Sequence, residues 1–563
     1  MERGRERASM RQSRLRVKWV CRGLLFLCLL LGLTFRWWGM SFGLPHRYHI
    51  DEPPYVLAAL RIGSGDFRIQ YPPNSPHLWE LILVAEYGML FVVGRLIGVF
   101  HSASDVAALY LADPTIFYLL ARGTSALLGV ATIAVLYGIG KRVYGQTTAL
   151  LAALFLALAF LPVRDSHYAV PDAFVTFLTT SMAYFCIAYV QKGRIRDIVL
   201  AGLTFGIACG VKHLLPFVLV LPLVLSLVLR MKVERQWLPA LNSLKLASIL
   251  IGSLLIGYVA GVPSIIINPD FFLDNVRAGI ALRTLGWYGF QIDLLPSWLF
   301  YLRTFVWGEG LPLAVISLAG VLYAICRHRR EDVLLVAFPL IYYLGLSAYR
   351  IPQARYALPL FPFLTLFAAR LITAIAERFK GVSPATRHVG IVVVSGLLLA
   401  KPGCDIVRHD YLLQQTDTRT LAKTWIETNV PEGAKIAETW QGPPLSTPSD
   451  PEPNSTRIYD VLLMNPFSTD ERLYSVDYYQ QNGYGYIIVS SFVYNLTCID
   501  PAEEQTRRAF WAALDDQAEL LAEFKPYKGD DEPPFYFDQM VGPLTDLGRF
   551  ERPGPTIKVY KVR

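Results

Sequence analysis

Long apolar runs recur along the chain from Trp19 to about Ala400, separated by short polar segments. Each run is close to the roughly 20 residues that an α-helix needs to cross a bilayer. After Gly403 the pattern changes, because Asp, Glu, Asn and Thr become common. The pattern predicts a polytopic α-helical membrane domain followed by a soluble domain. About eleven spans are predicted, over residues 19–38, 116–140, 147–162, 172–189, 198–210, 214–229, 246–266, 312–325, 333–348, 357–375 and 389–400.

The apolar run 76–100 is predicted not to span the membrane. It contains Glu80, Glu86 and Arg95, and each of these charges is costly at the centre of a bilayer. If the run did span, every later basic loop would change sides. We therefore expect an in-plane juxtamembrane helix, or one that re-enters part-way, within an outer loop one that covers residues 41–115.

Residues 404–563 are predicted to form a soluble α/β domain. An amphipathic helix over 417–430 ends before Pro431 and Gly433, and a short strand over 434–439 follows it. Further strands are expected at 484–494 and 556–562, with a helix over 503–524 between them. The domain contains no nucleophile elbow, P-loop or dinucleotide fingerprint.

Composition and charge agree with a membrane protein. Charged residues make up 17% of the chain, below the roughly 25% of soluble domains. The net charge is +8, but the basic clusters lie between apolar runs, at 3–18, 141–142, 192–196, 230–235 and 327–330. By the positive-inside rule, the basic N-terminus over 1–18 is cytoplasmic, the membrane domain covers 19–403, and the C-terminal domain is extracytoplasmic. We expect a multi-pass protein of the cell membrane that does not bind nucleic acid, since no aromatic-interleaved basic patch occurs.

The seven cysteines show no metal-ligand spacing. Cys404 and Cys498 lie in the soluble part, where they could form one disulfide outside the reducing compartment. Their spacing alone does not show such a bond.

This topology places the chemically interesting polar loops on one outer face. The candidates are Asp51 and Glu52 in loop one, Arg164, Asp165, His167 and Asp172 in "RDSHYAVPD", Lys212 and His213 between two apolar runs, and Arg350, Arg355 and Tyr356 in "YRIPQARY". A phosphate leaving group needs cations, because negative charge develops on it in the transition state. An attacking hydroxyl needs a general base nearby, and a carboxylate can serve. The combination suits a lipid-phosphate substrate and an acceptor that loses a proton.

Each residue also has a plainer interpretation. "DEPP" is a good helix start, so Asp51 and Glu52 could favour the positive end of a helix. Lys212 could extend to the membrane interface, and Asp172 could be a helix cap. The Arg355 and Tyr356 side chains could anchor a helix at the headgroups.

Several segments resemble the GT-C glycosyltransferases, especially glycosyltransferase family 39, which includes protein O-mannosyltransferases and the lipid A aminoarabinose transferase. "HIDEPPYVLAALRIGSGDF" is similar to the family's first outer loop, and "SHYAVPDAFVTF" to the segment with its second acidic residue. "ARGTSALLGVATIAVLYGIGKRVYG" resembles its second span, "GLTFGIACGVKHLLP" its lysine-containing helix pair, and "ARYALPLFPFLTLFAA" its late Arg-Tyr helix. The resemblance covers most of residues 19–375.

The resemblance implies an inverting transferase that uses a polyprenyl-phosphate-sugar donor and an extracytoplasmic acceptor. Asp51 would be the catalytic base, supported by Glu52 and Asp172. The donor phosphate would be held by Lys212, His213, Arg350, Arg355 and Tyr356, with Arg164 and His167 as further candidates on the outer face. The C-terminal domain would cover the cavity or contact the acceptor.

The acceptor stays open. The aminoarabinose-transferase branch has a lysine-containing element in loop one, where this chain reads "YPPNSPHLW" (71–79), and no inserted soluble domain of the O-mannosyltransferase kind occurs. A divalent ion among His46, His49, His167, Asp51 and Asp172 is conceivable, but no ligand spacing supports one, so no metal or cofactor is assigned.

Two other classes of function compete with a transferase. A transporter or flippase of lipid-linked sugars should show repeated halves with matching interrupted spans, and no such symmetry is visible. A receptor that binds through its C-terminal domain would leave the charged outer loops unexplained.

Overall fold

The computed structural model describes residues 2–67, 77–212, 215–234, 240–285, 289–291, 293, 295–468 and 470–563. Its N-terminal part is helical. The first helices are α1 (Glu2–Trp37), α2 (Glu52–Gly63), α3 (Leu78–Leu96), α4 (Ala103–Ala112), α5 (Thr115–Val143), α6 (Gln146–Ala157), α7 (Phe160–Arg164), α8 (Asp172–Lys192) and α9 (Ile195–Val211). They are followed by α10 (Val220–Glu234), α11 (Ala240–Gly261), α12 (Ser264–Ile267), α13 (Pro269–Leu285), α14 (Ser297–Arg327), α15 (Arg330–Ser347), α16 (Phe361–Arg378) and α17 (Pro384–Leu413).

Eight helices of the described chain are long and apolar enough to cross a membrane, and the bent pair of α6 and residues 160–167 would make a ninth. About eleven spans were expected from the sequence. The other two expected spans are helices that miss this standard: α9 has only 17 residues, and α15 begins with Arg330, Glu331 and Asp332. Helix α3 is not among the eight, and its in-plane placement stays a prediction.

Helices α8 and α16 occupy the centre of the membrane bundle. In the spans that contain α8 and α16, 83% and 89% of the residues are buried inside the protein. Buried aromatic side chains, including Phe160, Phe305 and Phe361, fill the space around them. Helix α8 starts at Asp172, shortly after α7, which ends at Arg164, and the 3-10 helix Asp165–His167, and α16 follows a 3-10 helix over Ala354–Leu360. Central packing therefore holds the ends of both helices, and the polar residues next to them, in fixed positions.

The C-terminal domain is built on a five-stranded mixed sheet. Strand β1 (Phe290–Gln291) lies before the domain and pairs outside this sheet. The strands of the domain are β2 (Lys435–Thr439), β3 (Asp460–Met464), β4 (Tyr486–Ser490), β5 (Thr497–Cys498), β6 (Ala518–Phe524) and β7 (Ile557–Val562). Its helices are α18 (Thr418–Asn429), α19 (Val476–Gln481), α20 (Ser491–Tyr494) and α21 (Pro501–Gln517). The sheet order is β3-β2-β4-β7-β6, in which β2 pairs in parallel with β3 and β4 while β7 is antiparallel to β4 and β6. The predicted α/β class is confirmed.

Two predicted elements of this domain are wrong at their C-terminal ends. The strand expected over 484–494 ends as β4 at Ser490, and residues 491–494 form the short helix α20. The sequence indicated a single helix over 503–524, but α21 ends at Gln517 and the chain continues directly as β6. The strand reads "AELLAEF", in which Ala, Glu and Leu are good helix formers. Pairing along β7, from Ala518 opposite Val562 to Phe524 opposite Ile557, overrides that local preference.

The two parts of the chain are joined by several contacts. Helix α17 runs without a break through residue 404 to Leu413. Strand β1, from the loop after α13, pairs with β5 of the C-terminal domain. Arg47 of loop one donates a hydrogen bond to Oε1 of Glu452 at 2.6 Å. The cysteines are all free in the described structure, Cys404 exposed and Cys498 buried.

Candidate active site

The carboxylate of Asp51 faces a cation and not the helix that follows it. Asp51 occupies the capping position of α2, but its side chain makes no capping hydrogen bond. Instead, Nη1 of Arg355 donates a hydrogen bond to its Oδ2. The Asp51 side chain keeps 22% of its surface exposed, so a substrate could still reach it. Helix capping therefore does not account for this carboxylate.

Arg355 is held in one orientation by its neighbours. It lies in the 3-10 helix that precedes α16. Its Nε and Nη2 donate to Oε1 of Gln353 at 2.9 and 2.6 Å, which leaves Nη1 for Asp51. A guanidinium fixed by two bonds on one side presents its remaining donors in a defined direction, and this geometry suits a phosphate or a carboxylate.

A second ion pair lies beside the first. Lys212 follows the last turn of α9, and its Nζ donates to Oδ1 of Asp172, the first residue of α8. The same Nζ lies 4.3 Å from the ring centroid of Tyr356. The guanidinium carbon of Arg355 lies 5.7 Å from that ring. Tyr356 is therefore flanked by both cations, and the structure brings together five of the predicted site residues from four separate segments.

Glu52 has a different environment, although it is the next residue after Asp51. It is completely buried, and Nε and Nη2 of Arg122 donate to its two oxygens at 2.8 and 2.7 Å. The backbone N–H of Ala169 donates to Oε1 at 2.7 Å. Burial raises the pKa of Glu52, but Arg122 outweighs this effect and the net pKa is lowered below the ordinary value. This carboxylate is a buried ionised anchor that ties loop one to α5.

Arg122 was not among the sequence candidates. It also donates from Nη1 to the carbonyl oxygens of Met40 and Phe42, at 2.6 and 3.0 Å. The sequence feature that could have identified Arg122 is an arginine inside an apolar run, since a charge within a membrane span needs a buried partner. The sequence did not reveal that the partner would be Glu52.

Arg164 and His167 are fully buried and do not join the ion pairs around Tyr356. Arg164 donates to three backbone carbonyls of the C-terminal domain and to its neighbour Asp165. His167 contacts the carbonyls of Val163 and Trp38 through its two ring nitrogens, at 3.0 and 2.9 Å. Arg350 is exposed and pairs with no described residue, and His213 lies outside the described residues.

The conceivable metal ligands do not converge. His46 lies 3.7 Å from Glu452, whereas His167 lies near His409 and Asp410. Among the described residues, one group of potential metal ligands has its ligand atoms within 4.8 Å of one another, and it consists of His167, His409 and Asp410. Asp410 also faces the buried guanidinium of Arg36. A divalent ion there would leave that guanidinium uncompensated in a buried site, so we assign no metal to this group.

Comparisons with known proteins agree with this architecture. A family model described as dolichyl-phosphate-mannose-protein mannosyltransferase matches residues 116–258. An uncharacterized protein from Aquifex aeolicus is 24% identical over 262 residues, which are 44% of this chain and 48% of that protein. The match thus spans about half the length of this curated relative.

Two solved structures align with most of the chain. The oligosaccharyltransferase AglB from Archaeoglobus fulgidus, in complex with an inhibitory peptide and a dolichol-phosphate, is 14% identical with a TM-score of 0.50, covering 84% of this chain and 69% of AglB. ArnT from Cupriavidus metallidurans, bound to undecaprenyl phosphate, is 14% identical with a TM-score of 0.48, covering 95% of this chain and 98% of ArnT. At such identity the likeness to AglB is one of fold. The protein is an integral membrane protein with the GT-C glycosyltransferase fold, as its sequence predicted.

Proposed function

We propose that the protein is a membrane glycosyltransferase that moves a sugar from a polyprenyl-phosphate donor to an extracytoplasmic acceptor, with inversion at the anomeric carbon. One observation carries the proposal: two cation–carboxylate pairs, Arg355 with Asp51 and Lys212 with Asp172, flank the same ring of Tyr356. The family model over 116–258 and the dolichol-phosphate bound to AglB support a lipid-phosphate donor.

The chemistry needs one base and at least one cation. The acceptor oxygen attacks the anomeric carbon, the bond from that carbon to the phosphate oxygen breaks, and its electron pair stays on the phosphate. Asp51 takes the proton of the attacking hydroxyl, since its carboxylate is partly exposed beside Arg355. Arg355 and Lys212 bind the donor phosphate, and Arg355 stabilises the charge that develops on it as it leaves.

The pairing of both cations with carboxylates suggests how donor and acceptor are engaged in order. A phosphate that binds between Arg355 and Lys212 competes with Asp51 and Asp172 for the same N–H donors. Once the phosphate takes a share of the guanidinium, Asp51 is less tightly held and can accept the proton of the acceptor. Asp172 then serves to hold Lys212 in place before the donor arrives.

The other candidates take supporting roles. Glu52 accepts two hydrogen bonds from Arg122, and it positions Asp51 by fixing the start of α2. His213 and Arg350 remain candidates for the donor phosphate, while Arg164 and His167 support the site through the backbone contacts described above. We place the N-terminus in the cytoplasm and the C-terminal domain outside, as the charge pattern predicts.

The test is a donor screen on the full-length protein in lipid nanodiscs. A panel of radiolabelled polyprenyl-phosphate sugars is added, and release of polyprenyl phosphate is measured for wild type, Asp51→Asn and Asp105→Asn. Asp105 is a half-buried carboxylate of the same loop whose Oδ2 accepts the backbone N–H groups of His101 and Ser102, and it is the matched control. Release that requires Asp51 but not Asp105 supports the transferase. Donor translocation in liposomes without any release would instead support a flippase and overturn the proposal.

A further inference from the structure

A short segment of the C-terminal domain packs against residues of the membrane domain next to the candidate site. It is the 3-10 helix Phe537–Val541 and the two residues that follow it. Arg164 holds this segment by donating to the carbonyl oxygens of Asp538, Gly542 and Pro543 at 2.7, 3.0 and 3.0 Å. All three bonds involve a guanidinium that is fully buried. These buried hydrogen bonds therefore fix the position of the segment relative to the membrane helices.

The side chain of Asp538 reaches the residue next to Arg355. Its Oδ1 accepts a hydrogen bond from the backbone N–H of Ala354 at 2.8 Å, and only 3% of the residue is exposed. Ala354 is the first residue of the 3-10 helix that carries Arg355. The N–H groups at the start of a helix have no partner within the helix, so an aspartate that accepts one of them fixes where the helix begins.

Two contacts thus connect the C-terminal domain with the proposed base: Asp538 to the backbone at Ala354, and Arg355 to Asp51. Burial raises the pKa of Asp538, while the guanidinium groups of Arg164 and Arg355 both act in the opposite direction. Asp538 therefore lies within electrostatic reach of both arginines.

We propose that Asp538 is a positioning residue for Arg355, and that the candidate site is incomplete without the segment 537–543 of the C-terminal domain. This inference rests on the proposed function, because it assigns Arg355 to the donor phosphate. It gives the domain a role inside the site, in addition to any contact with the acceptor.

Gly542 shows how closely the segment fits. Its φ is +151°, and a Cβ added there would lie 2.0 Å from Oη of Tyr168. Tyr168 is fully buried, packs 4.4 Å from the ring of His49, and its hydroxyl has no hydrogen-bond partner in the described structure. Alanine at 542 should push the segment away from the membrane domain. Removal of the Tyr168 hydroxyl should relieve only part of this effect, because Cζ of Tyr168 lies 3.0 Å from the added Cβ and the positive φ also disfavours a side chain.

The first experiment compares Asp538→Ala with Asp538→Asn in the full-length protein. Asn keeps an oxygen that can accept the Ala354 N–H, whereas Ala leaves that N–H without a partner. We expect Ala to raise the donor KM and lower kcat/KM by about tenfold or more, and Asn to stay within about threefold of wild type. Asp500→Ala is the matched control, since Asp500 accepts a backbone N–H at the same distance of 2.8 Å at the start of α21. Equal kinetics for wild type and Asp538→Ala would overturn the proposal.

A second pair of variants does not depend on how Asp538→Ala folds. Gly542→Ala should reduce kcat/KM in the same direction, and Gly542→Ala combined with Tyr168→Phe should recover part of the loss. Loss without recovery, together with an unchanged donor KM, would contradict positioning of the phosphate-binding arginine.

Binding of undecaprenyl phosphate to the nanodisc protein separates the two proposals. Weaker binding by Asp538→Ala but not by Asp538→Asn supports positioning of Arg355, even if no sugar donor is turned over. Wild-type turnover with equal binding by both variants leaves the transferase intact and rejects the role of Asp538. Donor translocation in liposomes without any release of polyprenyl phosphate rejects the transferase alone.

Discussion

Arg355 and Asp51 are 304 positions apart in the sequence, and Nη1 of the arginine donates a hydrogen bond to Oδ2 of the carboxylate. The pair joins loop one to the 3-10 helix before α16. Asp51 sits at a helix start without capping it. The carboxylate is thus placed for interaction with a partner outside its own helix.

Replacement of Asp51 by Asn should abolish sugar transfer with little effect on stability. The amide cannot take the proton of an acceptor hydroxyl, but it retains the shape of the carboxylate. Because no capping bond is lost and the amide oxygen can still accept a hydrogen bond from Arg355, the free energy of unfolding should fall by only about 1–2 kcal/mol. Turnover and thermal unfolding in nanodiscs measure the two effects. Retained turnover would show that Asp51 is not the base.

Replacement of Glu52 by Gln should have the opposite result. The change leaves the buried guanidinium of Arg122 without a counter-charge, and breaking a buried pair in this way costs about 3–5 kcal/mol. We expect a large fall in the unfolding temperature, with activity lost in proportion to folded protein. Glu52→Gln combined with Arg122→Met removes both charges and should recover part of the stability. A stable Glu52→Gln protein without activity would instead place Glu52 in the chemistry.

Lys212 should affect the donor more than the turnover rate. Lys212→Gln removes one charged donor from the proposed phosphate site, and such bonds contribute about 1.5–3 kcal/mol, which corresponds to about 10–100-fold in donor KM. Lys212→Arg keeps the charge and should lose less. Steady-state kinetics with varied donor concentration distinguish the two. If kcat fell while KM stayed constant for Lys212→Gln, the lysine would act on the transition state and not on donor binding.

The sequence predicted the class of fold and several members of the site because apolar runs and polar loops have strong patterns. Asp51, Arg355 and Lys212 stood out as charges beside membrane spans. Their partners were not predictable, because pairing depends on how the ends of α8, α9 and α16 pack. The residue pattern alone did not distinguish the adjacent carboxylates Asp51 and Glu52, and only the resemblance singled out Asp51 as the base. The structure separates them by burial and by partner, since the Asp51 side chain is 22% exposed beside Arg355 and that of Glu52 is 0% exposed beside Arg122.

Asp538 shows the same limit in the C-terminal domain. Nothing in "PFYFDQMVGP" indicates that Asp538 would accept a hydrogen bond from Ala354, which lies 184 positions earlier in the chain. The strand β6 was missed for a related reason, because it depends on a partner strand more than thirty residues away in the chain. Local pattern predicts elements, whereas contacts between distant segments define the site.

Protonation of His49 should make the protein less stable in acid. His49 is 2% exposed, and its Nδ1 accepts a hydrogen bond from the backbone N–H of Asp51 at 3.2 Å, so the ring is neutral. Burial lowers its pKa from 6.5 to about 3, with nearby arginines acting in the same direction and Glu52 opposing them. Between these two values the unfolded chain binds a proton that the folded chain does not. The contribution of His49 is therefore complete above pH 6.5 and is lost as the pH falls toward 3.

The matched variant is His49→Asn, whose Oδ1 can accept the same backbone hydrogen bond but does not titrate. Below pH 6.5, the free energy of unfolding of wild type should fall more steeply than that of the variant, by about 1.4 kcal/mol per pH unit. All other groups titrate in both proteins, so the difference between the two curves isolates His49. Thermal unfolding in nanodiscs over a series of pH values measures it. Parallel curves would mean that the folded protein accepts a proton at His49, and that the site opens to water next to Asp51.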